Sequence, residues 1–115
     1  MWERYKKTHE YIRNSWHKAV KKHDCDKNFV MPCDYIPPCV DSAFTNLFYW
    51  DTYFTNLGLI NIEMAQQAKY NVDNMLYMVE KYGFMPNGNR TFYLNQSQPP
   101  FLSQMVKEIY EETEG

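Results

Sequence analysis

Asp51 lies within residues 47–60, Leu-Phe-Tyr-Trp-Asp-Thr-Tyr-Phe-Thr-Asn-Leu-Gly-Leu-Ile, a run that is otherwise apolar nearly throughout. A carboxylate in such surroundings is costly unless it is paired or hydrogen-bonded. It therefore either caps a helix or binds nearby backbone, or it is aimed at a polar ligand. Downstream, Asn87, Asn89, Asn95, Gln96, Ser97 and Gln98 crowd one loop. Amides and hydroxyls both donate and accept hydrogen bonds. Sugars present adjacent hydroxyls with the same dual character, which carboxylates and amides match in pairs. The indole of Trp50 adds a flat apolar face for the C–H side of a sugar ring. The chemistry these residues suit is carbohydrate binding. The later acids Glu108, Glu111, Glu112 and Glu114 alternate with Lys107 and Tyr110, and they read as a solvated helix surface with no catalytic role.

Other classes are less well supported. The net charge is −2 and the pI about 5.9, so no electrostatic feature calls for nucleic acid or an anionic membrane. Arg4, Lys6, Lys7, Arg13, Lys18, Lys21 and Lys22 cluster early, but Glu3, Glu10 and Asp24 sit among them, as on a solvated helix face. No apolar run reaches the roughly 20 residues needed to span a bilayer. The first residues, Met-Trp-Glu-Arg-Tyr-Lys-Lys, contain no apolar stretch of a secretory signal. The expectation is a soluble, cytoplasmic chain. Cys25, Cys33 and Cys39 are odd in number and match no compact zinc spacing, so free thiols are expected, with no metal and no cofactor.

The elements that must position Asp51 and the amide loop are helical. Trp2, Tyr5, Ile12, Trp16, Ala19 and Val20 recur at helical spacing, in a stripe ending near His23-Asp24. Residues 24–43 contain Pro32, Pro37 and Pro38 and no period, which predicts an extended loop. Its Phe29, Val30, Tyr35, Ile36 and Val40 are too apolar for a solvated linker, so it should pack against something. Residues 47–60 predict a helix buried on most sides. Residues 61–82 carry Ala65, Ala68, Val72, Met75, Leu76, Val79 and Tyr82 at helical spacing, ended by Gly83. Met64, Met75 and Met78 read as core filler. Asn87-Gly88 marks a turn, Thr91–Leu94 could be briefly extended, and Pro99-Pro100 opens a last helix bearing Phe101, Leu102, Met105, Val106 and Ile109. The fold class is all-α: four helices joined by long loops.

Two segments resemble the trehalase family, glycoside hydrolase family 37. Phe44-x-x-x-Phe48-x-Trp50-Asp51-x-Tyr53-Phe54 is similar to its first signature. The stretch from Tyr82 through Pro86-Asn87-Gly88-Asn89-Arg90 and Asn95-Gln96-Ser97-Gln98 to Pro99-Pro100 is similar to a second, at the expected distance downstream. The resemblance covers roughly residues 32 to 115. It implies that residues 1–115 form one segment of an (α/α)₆ toroid of helical hairpins, without the C-terminal part. It implies sugar-binding roles for Trp50, Asp51, Asn87, Gln96, Ser97 and Gln98, with Phe44 as a pocket wall. It also implies an inverting reaction on trehalose or a related α-glucoside, with an acid and a base on opposite sides of the sugar. The family places both beyond Pro100, so no residue here is expected to be catalytic. The family's Arg, Glu and second Arg are replaced by Ala43, Asn46 and Gln96, and an amide cannot supply the rigid donor fork of a guanidinium. Another α-linked glucoside, or weakened sugar binding, therefore suits the segment as well as trehalose does. The alternative is a non-catalytic carbohydrate-binding or helical interaction remnant. Apolar faces on 47–60 and 101–109 would favour self-association.

Overall fold

The computed structural model describes residues 2–25, 29–39, 46–90 and 93–113. Among these residues it contains four α-helices and no strand: α1 (Trp2–Ala19), α2 (Tyr49–Asn61), α3 (Ala65–Tyr82) and α4 (Leu102–Thr113). This is the all-α class expected, and it is compatible with part of an (α/α)₆ toroid. Helices α2, α3 and α4 pack on one another. Leu59, Ala68, Met75, Met78 and Met105 are completely buried between them, with Ile109 nearly so. Flexible thioethers suit an irregular junction of helices and loops, and Met64 packs against the edge of this core.

Several details differ from the sequence pattern; among them, α2 begins at Tyr49 and α4 at Leu102, after Pro99-Pro100. α1 stops at Ala19, because Lys21 leaves the helix to pair with Tyr35: its N–H donates to the Tyr35 carbonyl at 2.7 Å and its carbonyl accepts from the Tyr35 N–H at 3.0 Å. α3 starts at Ala65 and not at 61, because Glu63 adopts a left-handed φ of 64°. That turn lets the Met64 N–H reach the Leu59 carbonyl at 2.8 Å and closes α2. Residues 93–95 form a turn, with the Gln96 N–H donating to the Tyr93 carbonyl at 3.3 Å, where an extended piece was expected. Thr91 and Phe92 lie outside the described residues. Gly83 ends α3 as expected, at φ 82° with its N–H on the Val79 carbonyl at 2.8 Å, a conformation that glycine adopts without strain.

The proline-containing loop packs as predicted. Phe29, Met31, Tyr35 and Ile36 are buried, whereas Val30 is exposed and Val40 lies outside the described residues. Apolar contact is only part of the attachment. The Asn74 side chain on α3 grips the Cys33 backbone twice, accepting from its N–H and donating to its carbonyl, both at 2.8 Å. One turn earlier, Asn71 accepts from the Ile36 N–H at 3.2 Å and donates to Asn56 of α2 at 3.1 Å. Gln67 donates to the Asp34 carbonyl at 3.0 Å. Asn56, Asn71 and Asn74 are all buried, and each polar group they satisfy would otherwise be a costly orphan.

The apolar stripes are less covered than the pattern suggests. Trp50, Phe54 and Leu57 line one exposed side of α2, so this helix is not buried on most sides. In α1 only Ser15 and Ala19 are buried. Trp2, Tyr5 and Ile12 are half exposed or more, and Trp16 alone of the stripe's large residues leans on the core. Its ring rests against α2 at Gly58, where a Cβ would lie 3.1 Å away.

Three titrating groups give the fold one pH dependence. Burial raises the pKa of the Cys33 thiol above 9.0 and that of the Tyr35 hydroxyl above 10.0. The neighbouring Tyr82 and Tyr77 raise Lys81 above 10.5, and its ammonium lies over the rings of Phe29, Tyr77 and Tyr82 at 5.4–5.7 Å. In each case the native state holds its proton more tightly than the unfolded chain does. The contribution of these three groups is therefore fully present below pH 9.0 and is lost as pH rises past 9.0, 10.0 and 10.5 in turn. Melting curves from pH 7 to 11 should show this decline, and Cys33→Ser should remove its first part. A Tm that is flat or rising across that range would contradict the assignment.

Candidate functional site

The site forms where the segment before α2 meets the loop before α4. Phe48 pairs with Gly88 in an isolated antiparallel bridge. The Tyr49 N–H donates to the Asn87 carbonyl and the Asn89 N–H to the Leu47 carbonyl, both at 3.1 Å. The loop then folds back, with the Asn87 N–H donating to the Gln96 carbonyl at 2.9 Å. These bonds bring Gln98 to the start of α2. There its side-chain oxygen accepts from the Trp50 N–H at 2.9 Å. Phe48, at the N-cap, makes no side-chain capping bond, so Gln98 satisfies one of the N–H groups left open in the first turn.

Beside this junction is an open pocket of about 390 Å³ lined by Pro38, Phe48, Asp51 and Gln98. Asp51 is half-buried in the first turn of α2, where the helix dipole favours a negative charge. It does not cap the helix. Among the described residues, no hydrogen bond or ion pair involves its carboxylate, and the Gln98 NH₂ likewise has no partner. The pocket thus offers an acceptor-only carboxylate and an amide donor, over apolar walls. Trp50 is 39% exposed and stacks on Phe101, with centroids 6.5 Å apart and rings inclined by 19°.

The remaining sequence candidates divide by role. Ser97 donates its hydroxyl to the Met85 carbonyl at 2.6 Å and so braces the loop. Asn87 and Gln96 meet each other through backbone groups. Phe44 lies outside the described residues. Glu108 is not a solvated acid: it accepts from the Tyr53 hydroxyl at 3.5 Å and from Gln104 at 3.2 Å, and its second oxygen is buried. Pro38 and Phe48 were missed as pocket walls. Phe48 was detectable, since it belongs to the same signature segment as Trp50 and Asp51. Pro38 gave no such signal, because tertiary packing alone brings its loop there.

A second groove, between α3 and α4, has a volume of about 150 Å³ and is lined mainly by Val72, Leu76, Val106, Ile109 and Tyr110. Its carboxylate, Asp73, is paired with Lys69 at 2.8 Å, and among the described residues no side-chain amide lines it. Among the described residues, no three His, Cys, Asp or Glu side chains gather as a metal site, and no helix is long and apolar enough to cross a membrane.

The family model for trehalase matches residues 2–115. The chain belongs to the trehalase family. Over 102 residues it is 38% identical to the periplasmic trehalase of Xanthomonas axonopodis pv. citri, a match covering 85% of this chain and 18% of that protein. Over 76 residues it is 43% identical to the periplasmic trehalase of Pseudomonas aeruginosa, covering 66% of this chain and 14% of that protein. This trehalase-family chain therefore spans under a fifth of the length of these relatives. The family match extends the resemblance from residues 32–115 back through α1. The relatives' names overturn the cytoplasmic expectation, since they point to the periplasm. That expectation rested on the residues at the start of a sequence that covers a small share of its relatives, where a missing leader carries no weight.

Proposed function

We propose that this chain supplies the glucosyl-binding part of a periplasmic α-glucoside hydrolase site, with trehalose or a similar disaccharide as substrate. The observation carrying this reading is the Asp51 carboxylate, which has no hydrogen-bond partner among the described residues and faces a pocket shared with Gln98. A carboxylate accepts from two neighbouring sugar hydroxyls, and the Gln98 NH₂ donates to a third oxygen. Phe48 and Pro38 provide the apolar wall, whereas Trp50 stacks on Phe101 and is not among the described residues that line the pocket. Asn87, Gln96 and Ser97 shape the loop that carries Gln98.

The reaction we infer is inverting. It needs two carboxyl groups on opposite faces of the sugar, separated widely enough to admit a water, roughly 6.5–9.5 Å. Asp51 is the one carboxylate lining the pocket among the described residues. We assign it to binding and place the acid and base in parts of the family's length that this chain does not span.

Titration calorimetry with trehalose and glucose tests the proposal. Wild type should bind, and Asp51→Ala should weaken binding by on the order of tenfold or more, as expected for losing a charged hydrogen-bond acceptor. The same variant should lose no more than ~1 kcal/mol of stability, the worth of a charge at a helix N-terminus. Absence of heat from folded wild type, or a variant that loses stability but not affinity, would sink the reading.

A further inference from the structure

Leu47 is fully buried just outside the Phe48–Gly88 bridge, and nothing in that two-bond ladder reaches its N–H. A buried N–H left without an acceptor is costly. Asn89 fills the gap: its side-chain oxygen accepts from the Leu47 N–H at 2.8 Å, while its own N–H donates to the Leu47 carbonyl at 3.1 Å. The side chain therefore adds one rung to the ladder where no strand continues. Asn89 is itself completely buried. Its NH₂ is buried and, among the described residues, makes no hydrogen bond.

The consequence falls on the pocket. Phe48 follows Leu47 directly, and Asp51 sits three residues beyond Phe48. Because α2 has no side-chain cap at Phe48, its entry is set by the bonds at Leu47, Tyr49 and Trp50. We propose that Asn89 is a positioning residue, which through Leu47 holds Phe48 and the first turn of α2 in register with Gln98. It touches no sugar. The sugar readout rests on the glucosyl reading above; the backbone readout does not.

The test is amide hydrogen exchange and trehalose titration on the 115-residue chain and two variants. In Asn89→Ala, the Leu47 and Tyr49 amides should exchange faster by on the order of tenfold or more. The Met75 amide in α3 should be unchanged, and trehalose affinity should fall. Asn89→Asp keeps the acceptor oxygen and should retain Leu47 and Tyr49 protection. Unchanged Tyr49 protection in Asn89→Ala, or unchanged affinity despite an opened Leu47, would overturn the proposal. If Asn89→Ala also loses Met75 protection, Asn89→Asp decides: retained protection at Leu47 and Tyr49 supports the role, and its loss beside an intact Met75 refutes it. If wild type binds no trehalose, the glucosyl reading fails, and the Tyr49 amide still decides the case of Asn89.

Discussion

Asn74→Ala should lower the unfolding free energy by about 2–4 kcal/mol, the sum for two backbone groups losing their partners with some relief from water. The side chain is completely buried and serves both the N–H and the carbonyl of Cys33 at 2.8 Å. Alanine can replace neither bond, and it leaves a cavity between α3 and the loop. Cys33 is half-buried, so water can reach part of the gap, which keeps the loss below that of two fully buried orphans. Urea denaturation measures the change. Asn74→Asp should fall between the two, because it keeps an acceptor for the N–H but opposes a second oxygen to the carbonyl. A loss in Asn74→Ala below about 1 kcal/mol would mean that Phe29, Met31 and Ile36 hold the loop by apolar burial alone.

Gly88→Val should cost about 1–3 kcal/mol, as overpacking does, and should weaken sugar binding in the same variant. A Cβ at this position would lie 3.0 Å from the Tyr93 ring, 3.1 Å from the Leu47 carbonyl oxygen and 3.3 Å from the Phe48 ring. The Tyr93 ring can turn aside. The carbonyl cannot move without breaking its bond to the Asn89 N–H, so the bridge opens and Phe48 shifts in the pocket wall. Space is the constraint here, since Gly88 has no positive φ. Gly88→Ala should show a smaller effect of the same sign. Thermal melts with sugar titrations check both, and a valine variant equal to wild type in both would contradict the packing argument.

Much of this was legible without coordinates. Helical spacing located all four helices, and the apolar residues among Pro32, Pro37 and Pro38 correctly implied a packed loop. Asp51 and Gln98 were singled out by residue type and resemblance, and they do line one pocket. The misses share a cause. Gln67, Asn71 and Asn74 stand at helical spacing on α3, and that polar stripe beside Ala68, Val72 and Met75 could have been recognised. The amide-rich loop suits sugar by residue type, yet within it Ser97 braces Met85. An amide's donor and acceptor serve a backbone as readily as a hydroxyl, so type alone cannot tell the two uses apart.

The sequence by itself determined the helical class, through periodicity, and the family, through two ordered motifs at Trp50-Asp51 and at residues 82–100. These are local patterns, written in consecutive residues. Only the tertiary structure decided which of those residues face the pocket, which hold the backbone, and which apolar stripes stay exposed. Those outcomes depend on partners distant in sequence, such as Trp50 with Gln98 and Cys33 with Asn74. The balance between a satisfied and an orphaned polar group is settled only when such partners meet.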